Sequence, residues 1–78
     1  MWQVIGKTYS AETVKVREYL DAKGILYDYI DLDEEPDWMV WFKANRIIAI
    51  PAVRVKGHFS VGFDLAAIDQ LIAAFQKD

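Results

Sequence analysis

Ser10 and Thr13 stand three residues apart where a short apolar run gives way to a helical pattern, with Lys7 just upstream and Glu12 between the two hydroxyls. A hydroxyl at a helix opening can attack an electrophile once a base has taken its proton, or it can accept a hydrogen bond from an unpaired first-turn amide. The base is the difficulty. The only histidine, His58, follows a predicted turn. If Pro51, at the head of the strand before that turn, lies beside Ser10, six strand residues carry the histidine roughly 20 Å away. Ser10 therefore reads as a helix N-cap, with Glu12 favourably placed in the first turn, and His58 as a solvated turn residue. No metal is expected, because one histidine and no cysteine cannot supply the four N or S ligands that a structural zinc generally needs. The missing cysteines also remove disulfides and thiolate nucleophiles.

The elements that must place these residues follow from the pattern. "WQVIG" (2–6) is a β-prone run ending at glycine, and from Ser10 a helix puts Val16, Tyr19 and Leu20 on one face and closes at Gly24. "ILYDYIDLD" (25–33) alternates as a strand, with Leu26, Ile30 and Leu32 on one face and Tyr27 and Tyr29 on the other; its aspartates suit a sheet edge. Pro36, among acids, is expected in the first turn of a second helix reaching about Asn45. Pro51 heads a third strand, Lys56–Gly57 turns into a fourth, and Asp64 caps a last helix with a stripe of Leu65, Ile68, Leu71, Ile72 and Phe75. The order is βαβαββα, with helices one and three expected on one face of the sheet and helix two on the other.

Seventy-eight residues, over half of them hydrophobic, fit one domain spanning 1–78. A net charge of −3 with nine scattered basic residues argues against a nucleic-acid partner. No apolar run nears the roughly 20 residues that span a bilayer, and the start lacks a signal-peptide pattern, so a cytoplasmic protein with no membrane partner is expected.

In that order, four short motifs resemble those of the glutaredoxins, most closely the small glutaredoxin-like redoxins that donate electrons to ribonucleotide reductase. Lys7 matches the family's basic residue, and "SAET" (10–13) occupies the place of its Cys-x-x-Cys. "AIPAV" (49–53) matches its proline segment, and "VGFD" (61–64) matches the step into its last helix. The resemblance covers nearly the whole chain. It implies an α/β thioredoxin-like (glutaredoxin) fold with a four-stranded mixed sheet, a cis peptide before Pro51, and a groove for glutathione or an extended peptide. The matching groove positions are Lys7, Ser10, Glu12, Ile50, Pro51, Gly62, Phe63 and Asp64.

The chemistry departs from the family at its centre. A serine hydroxyl has a pKa several units above that of a thiol, and a helix terminus contributing on the order of 1 kcal/mol does not close that gap. Dithiol exchange is closed to this chain. The leading expectation is a glutaredoxin-like binding or regulatory module, a role that suits a phage-encoded or accessory-gene origin. Its alternatives are a thiol-disulfide oxidoreductase whose cysteines diverged or were engineered away, and a glutathione-binding protein. Glu12 stands against an anionic tripeptide, so no cofactor is the primary expectation. A second surface is "WMVWF" (38–42): five apolar residues exceed one helical turn and cannot all face one sheet. Trp38, Met39, Val40 and Trp41 are thus candidates for contact with a protein partner or a second copy.

Overall fold

The structure, a computed structural model, describes Met1–Gln76. The elements run β1 (Trp2–Gly6), α1 (Ala11–Ala22), β2 (Tyr27–Asp31), α2 (Trp38–Ala44), β3 (Ala52–Val55), β4 (His58–Val61) and α3 (Leu65–Phe75). The four strands form one mixed sheet in the order β2-β1-β3-β4. β1 and β2 are parallel, from Trp2 opposite Tyr27 to Gly6 opposite Asp31. β3 runs antiparallel to β1, with Ile5 opposite Ala52, and antiparallel to β4, with Val53 opposite Ser60.

Strand alternation divides the apolar residues between two cores. Trp2, Val4, Val53 and Val55 meet Val16 and Leu20 of α1 and Ile68 of α3 on one side. On the other, Ile5, Ile30, Leu32 and Ala52 meet Phe42 of α2, joined by Ile47. Helices α1 and α3 therefore share one face and α2 stands by itself on the opposite one, as the pattern predicts. Phe42, 2% exposed, is the plug that holds this short helix, and its burial contributes about 2 kcal/mol. Among the described residues no helix is long and apolar enough to cross a membrane.

Three local expectations are corrected. The second strand is shorter than the alternation implied, beginning at Tyr27; Leu26 precedes it and is 85% exposed, while Ile25 takes the buried place. Parity within a strand says nothing about a residue outside the ladder. Helix α2 opens at Trp38, and Pro36 lies in the preceding turn, where its carbonyl accepts the Met39 N–H at 2.9 Å. Asp37, its N-cap, makes no side-chain cap bond. Leu65, at the start of α3 before that helix meets the sheet, is exposed, so the buried stripe centres on Ile68.

The hairpin forms as expected. Lys56 and Gly57 both have positive φ, 48° and 80°, the two-residue turn whose twist suits a tight antiparallel pair.

Candidate binding groove

The loop after β1 is ordered by its own polar groups. The Ser10 N–H donates to the Lys7 carbonyl at 2.9 Å, and the Thr8 hydroxyl donates to Asp31 at 3.0 Å. Ser10 is extended, and its hydroxyl oxygen accepts the Thr13 N–H at 3.3 Å. It is the N-cap of α1. Thr13 is fully buried, and its Oγ1 accepts the Lys7 N–H at 3.4 Å. Both hydroxyl oxygens therefore serve the backbone. Ser10→Ala is expected to lower stability by about 1 kcal/mol, a fall in Tm of roughly 4–8 °C for a chain of this size, read by thermal denaturation.

Beneath Thr13 lies Gly6, and here the sequence reading missed a constraint. A β-carbon added at Gly6 would fall on Thr13 Oγ1, would lie 2.8 Å from Thr13 Cγ2, and would come within 3.2 Å of the Pro51 β-carbon. The end of β1, the first turn of α1 and the head of β3 thus converge on one glycine. No pattern of residue types reveals such a contact, because a glycine closing a strand reads first as a turn signal. The Ile50–Pro51 peptide is cis.

Around this junction the predicted groove positions are brought together. The Gly62 N–H donates to the Pro51 carbonyl at 2.7 Å, tying the "VGFD" segment to the proline. Phe63 packs on the α1/α3 core, with Lys15 Nζ 5.9 Å from its ring centre. Asp64 caps α3, accepting the Ala67 N–H at 3.1 Å, and its carboxylate is exposed, as is Glu12. Among the described residues, neither backbone hydrogen bonds nor strand pairings engage Ile50. Beside it a recess of about 240 Å³ is lined by Lys7, Leu32, Met39, Phe42, Ile47 and Ile50, among others.

Lys7 is less available than its position suggests. Its ammonium lies 3.6 Å from Asp33 and 5.8 Å from the centre of the Tyr9 ring. Tyr9 first, then Asp33, hold its pKa above the usual lysine value. His58 is at the far end of the sheet from Ser10, since the register sets the hairpin beyond Trp2; its ring lies 5.0 Å from that of Phe75. The structure therefore offers Ser10 no histidine base.

The backbone frame of this site has counterparts. The glutaredoxin-like protein NrdH-redoxin from Escherichia coli superposes with a TM-score of 0.83 at 16% identity, over 90% of this chain and 92% of that one. The chain has a glutaredoxin-like thioredoxin fold. A glutaredoxin from Archaeoglobus fulgidus superposes with a TM-score of 0.75 at 19% identity, over 91% of this chain and 84% of that one. No protein-family model matches the sequence, and no curated protein matches it. On this glutaredoxin-like frame the described residues hold no cluster of metal-ligating side chains. The whole sequence holds no cysteine.

The candidate patch on α2 is divided by the fold. Met39 opens on the Lys7–Ile50 recess, whereas Trp38, Val40 and Trp41 line a separate shallow groove of about 370 Å³ with Asp37 and Ala44. Trp38 and Trp41 meet edge to face at 5.8 Å, and Trp41 meets Phe59 of β4 at 5.4 Å. Arg54 of β3 reaches both indoles, 5.9 and 5.8 Å from their centres, and donates to the Gln3 side chain at 2.6 Å. Sequence reasoning did not find this arginine. The signal was there: position 54 alternates with buried Val53 and Val55, so it must face α2.

Proposed function

We propose that this protein is a non-catalytic binding module that takes an extended peptide segment in the groove flanked by Lys7, Ile50–Pro51 and Gly62–Asp64. The observation that carries the reading is a division of labour among polar groups. The Ser10 and Thr13 oxygens accept backbone amides, while the Ile50 backbone, just before Pro51, has no hydrogen-bond partner among the described residues. An extended segment can satisfy such a backbone group as an added strand does, placing a side chain in the neighbouring recess. The recess is mainly apolar apart from Lys7, which favours an aliphatic side chain there.

Charge selects among ligands. Asp33 is the nearest carboxylate to the Lys7 ammonium, and the carboxylates of Glu12 and Asp64 are exposed on the same loop-and-helix-opening side. A neutral or basic peptide is favoured over glutathione, which carries net negative charge. Titrating ¹⁵N-labelled protein with a neutral, extended tetrapeptide containing a central valine is expected to move the Lys7, Ile50, Gly62 and Phe63 amides. Glutathione at the same concentration is expected to move them little. Shifts with glutathione alone would support a glutathione-binding protein, and no shift with either would remove the groove as a binding site.

A further inference from the structure

We propose that β4 is a self-pairing edge, through which two copies of this chain join antiparallel about a two-fold axis at Ser60 to form one continuous eight-stranded sheet. The two edges of the sheet are unequal. β2 carries Asp28 and Asp31, with Asp33 just beyond, the kind of charge that discourages strand pairing. β4 reads His58-Phe59-Ser60-Val61 and carries no acid or lysine.

The ladder fixes which groups of β4 point outward. The Gly62 N–H donates to the Pro51 carbonyl, and the register continues with Ser60 opposite Val53 and His58 opposite Val55. Hydrogen-bonded and non-hydrogen-bonded pairs alternate in an antiparallel ladder. His58, Ser60 and Gly62 therefore direct their backbone groups toward β3, and Phe59 and Val61 direct theirs away from the sheet. Only one antiparallel register between two copies uses both outward residues of both strands: Phe59 opposite Val61 of the second copy, and the reverse. It makes four backbone hydrogen bonds.

That same register answers two other features. It sets Ser60 directly opposite Ser60 of the second copy, in a non-hydrogen-bonded pair where side chains are closest. Ser60 is only 5% exposed, and its hydroxyl has no hydrogen-bond partner among the described residues; rotation about the Cα–Cβ bond toward the facing copy lets one hydroxyl donate to the other. On the opposite face, exposed Phe59, already edge to face with Trp41, gains Val61 of the second copy as its neighbour and carries the apolar surface across the axis. A second copy thus offers the edge a hydroxyl and an apolar side chain together.

Sedimentation velocity from low micromolar to millimolar protein, with amide hydrogen exchange at the two extremes, tests the proposal. The expected result is a doubling of mass as concentration rises, with exchange at the Phe59 and Val61 amides slowing in step. Val61→Pro removes one outward donor without removing a donor from the β3 ladder, and it is expected to return the mass to that of one chain. Phe59→Lys should do the same by adding edge charge, and covers the case in which the proline variant fails to fold by circular dichroism. A monomer at millimolar concentration overturns the proposal, as would be the case if the edge served only a foreign strand. So does a dimer whose Phe59 and Val61 amides exchange as fast as in dilute protein, which would put the interface elsewhere. The groove reading stands or falls separately, on the Lys7 and Ile50 resonances.

Discussion

The Ser10→Cys/Thr13→Cys double variant is expected to reduce insulin disulfides with dithiothreitol as electron source, while the natural chain stays at the dithiothreitol blank. The positions are prepared for sulfur even though they hold oxygen. The side chain at position 10 already accepts the Thr13 amide from the open end of α1, so a thiolate there would receive the same hydrogen bond. The helix terminus and Lys7 favour its ionised form, drawing its pKa down from about 8.5. Position 13 is fully buried, one helical turn on, where a resolving thiol would be shielded until the first sulfur is engaged. The expected rate is roughly a hundredfold above the blank, set by the thiolate fraction at neutral pH. Ser10→Cys alone should form mixed disulfides without sustained turnover. If the double variant forms its internal disulfide and still reduces nothing, the groove no longer admits disulfide substrates. Turnover by the cysteine-free chain would overthrow the non-catalytic reading altogether.

Gly6→Ala is expected to be strongly destabilising for the addition of a single methyl group. Thr13 is fully buried above Gly6, and Pro51 is buried beside it, so the new carbon cannot be relieved by moving a side chain into solvent. Overpacking of this kind costs about 1–3 kcal/mol, and the proximity to Thr13 Cγ2 places this case at the upper end. Chemical denaturation should give a lower midpoint at unchanged slope. Adding Thr13→Ala removes both atoms that crowd the site and should recover more than half of the loss. Without such recovery in the double-mutant cycle, the contact between positions 6 and 13 is not the cause.

Much of the fold is legible because its signals are periodic. The boundaries of β1, the turn at Lys56–Gly57 and the caps Ser10 and Asp64 each follow from local rules that act within a few residues. The division of helices between two faces follows from strand parity, since Trp2 and Val4 alternate with Gln3 and Ile5. Leu26 and Leu65 were misplaced for the complementary reason: each has the correct residue type and spacing but stands where its element has not yet reached the sheet. At the candidate site, Gly62 is hydrogen-bonded to Pro51, and Lys7 and Ile50 line one recess. Their physical state was less accessible. That Asp33 sits against Lys7, that Thr13 seals the space over Gly6, and that Met39 belongs to a different recess from Val40 all depend on segments far apart in sequence meeting at ångström precision.

Helix α2 has seven residues and no side-chain bond at its N-cap, so its seat on the sheet depends on what grips it from below. Besides the Phe42 plug, that grip is Arg54 lying beneath two indoles, steadied by the neutral amide of Gln3 rather than by a carboxylate. Added electrolyte can loosen the Lys7–Asp33 pair, but among the described residues it finds no paired ions under this helix to screen, and the aromatic shelf should keep its shape in brine.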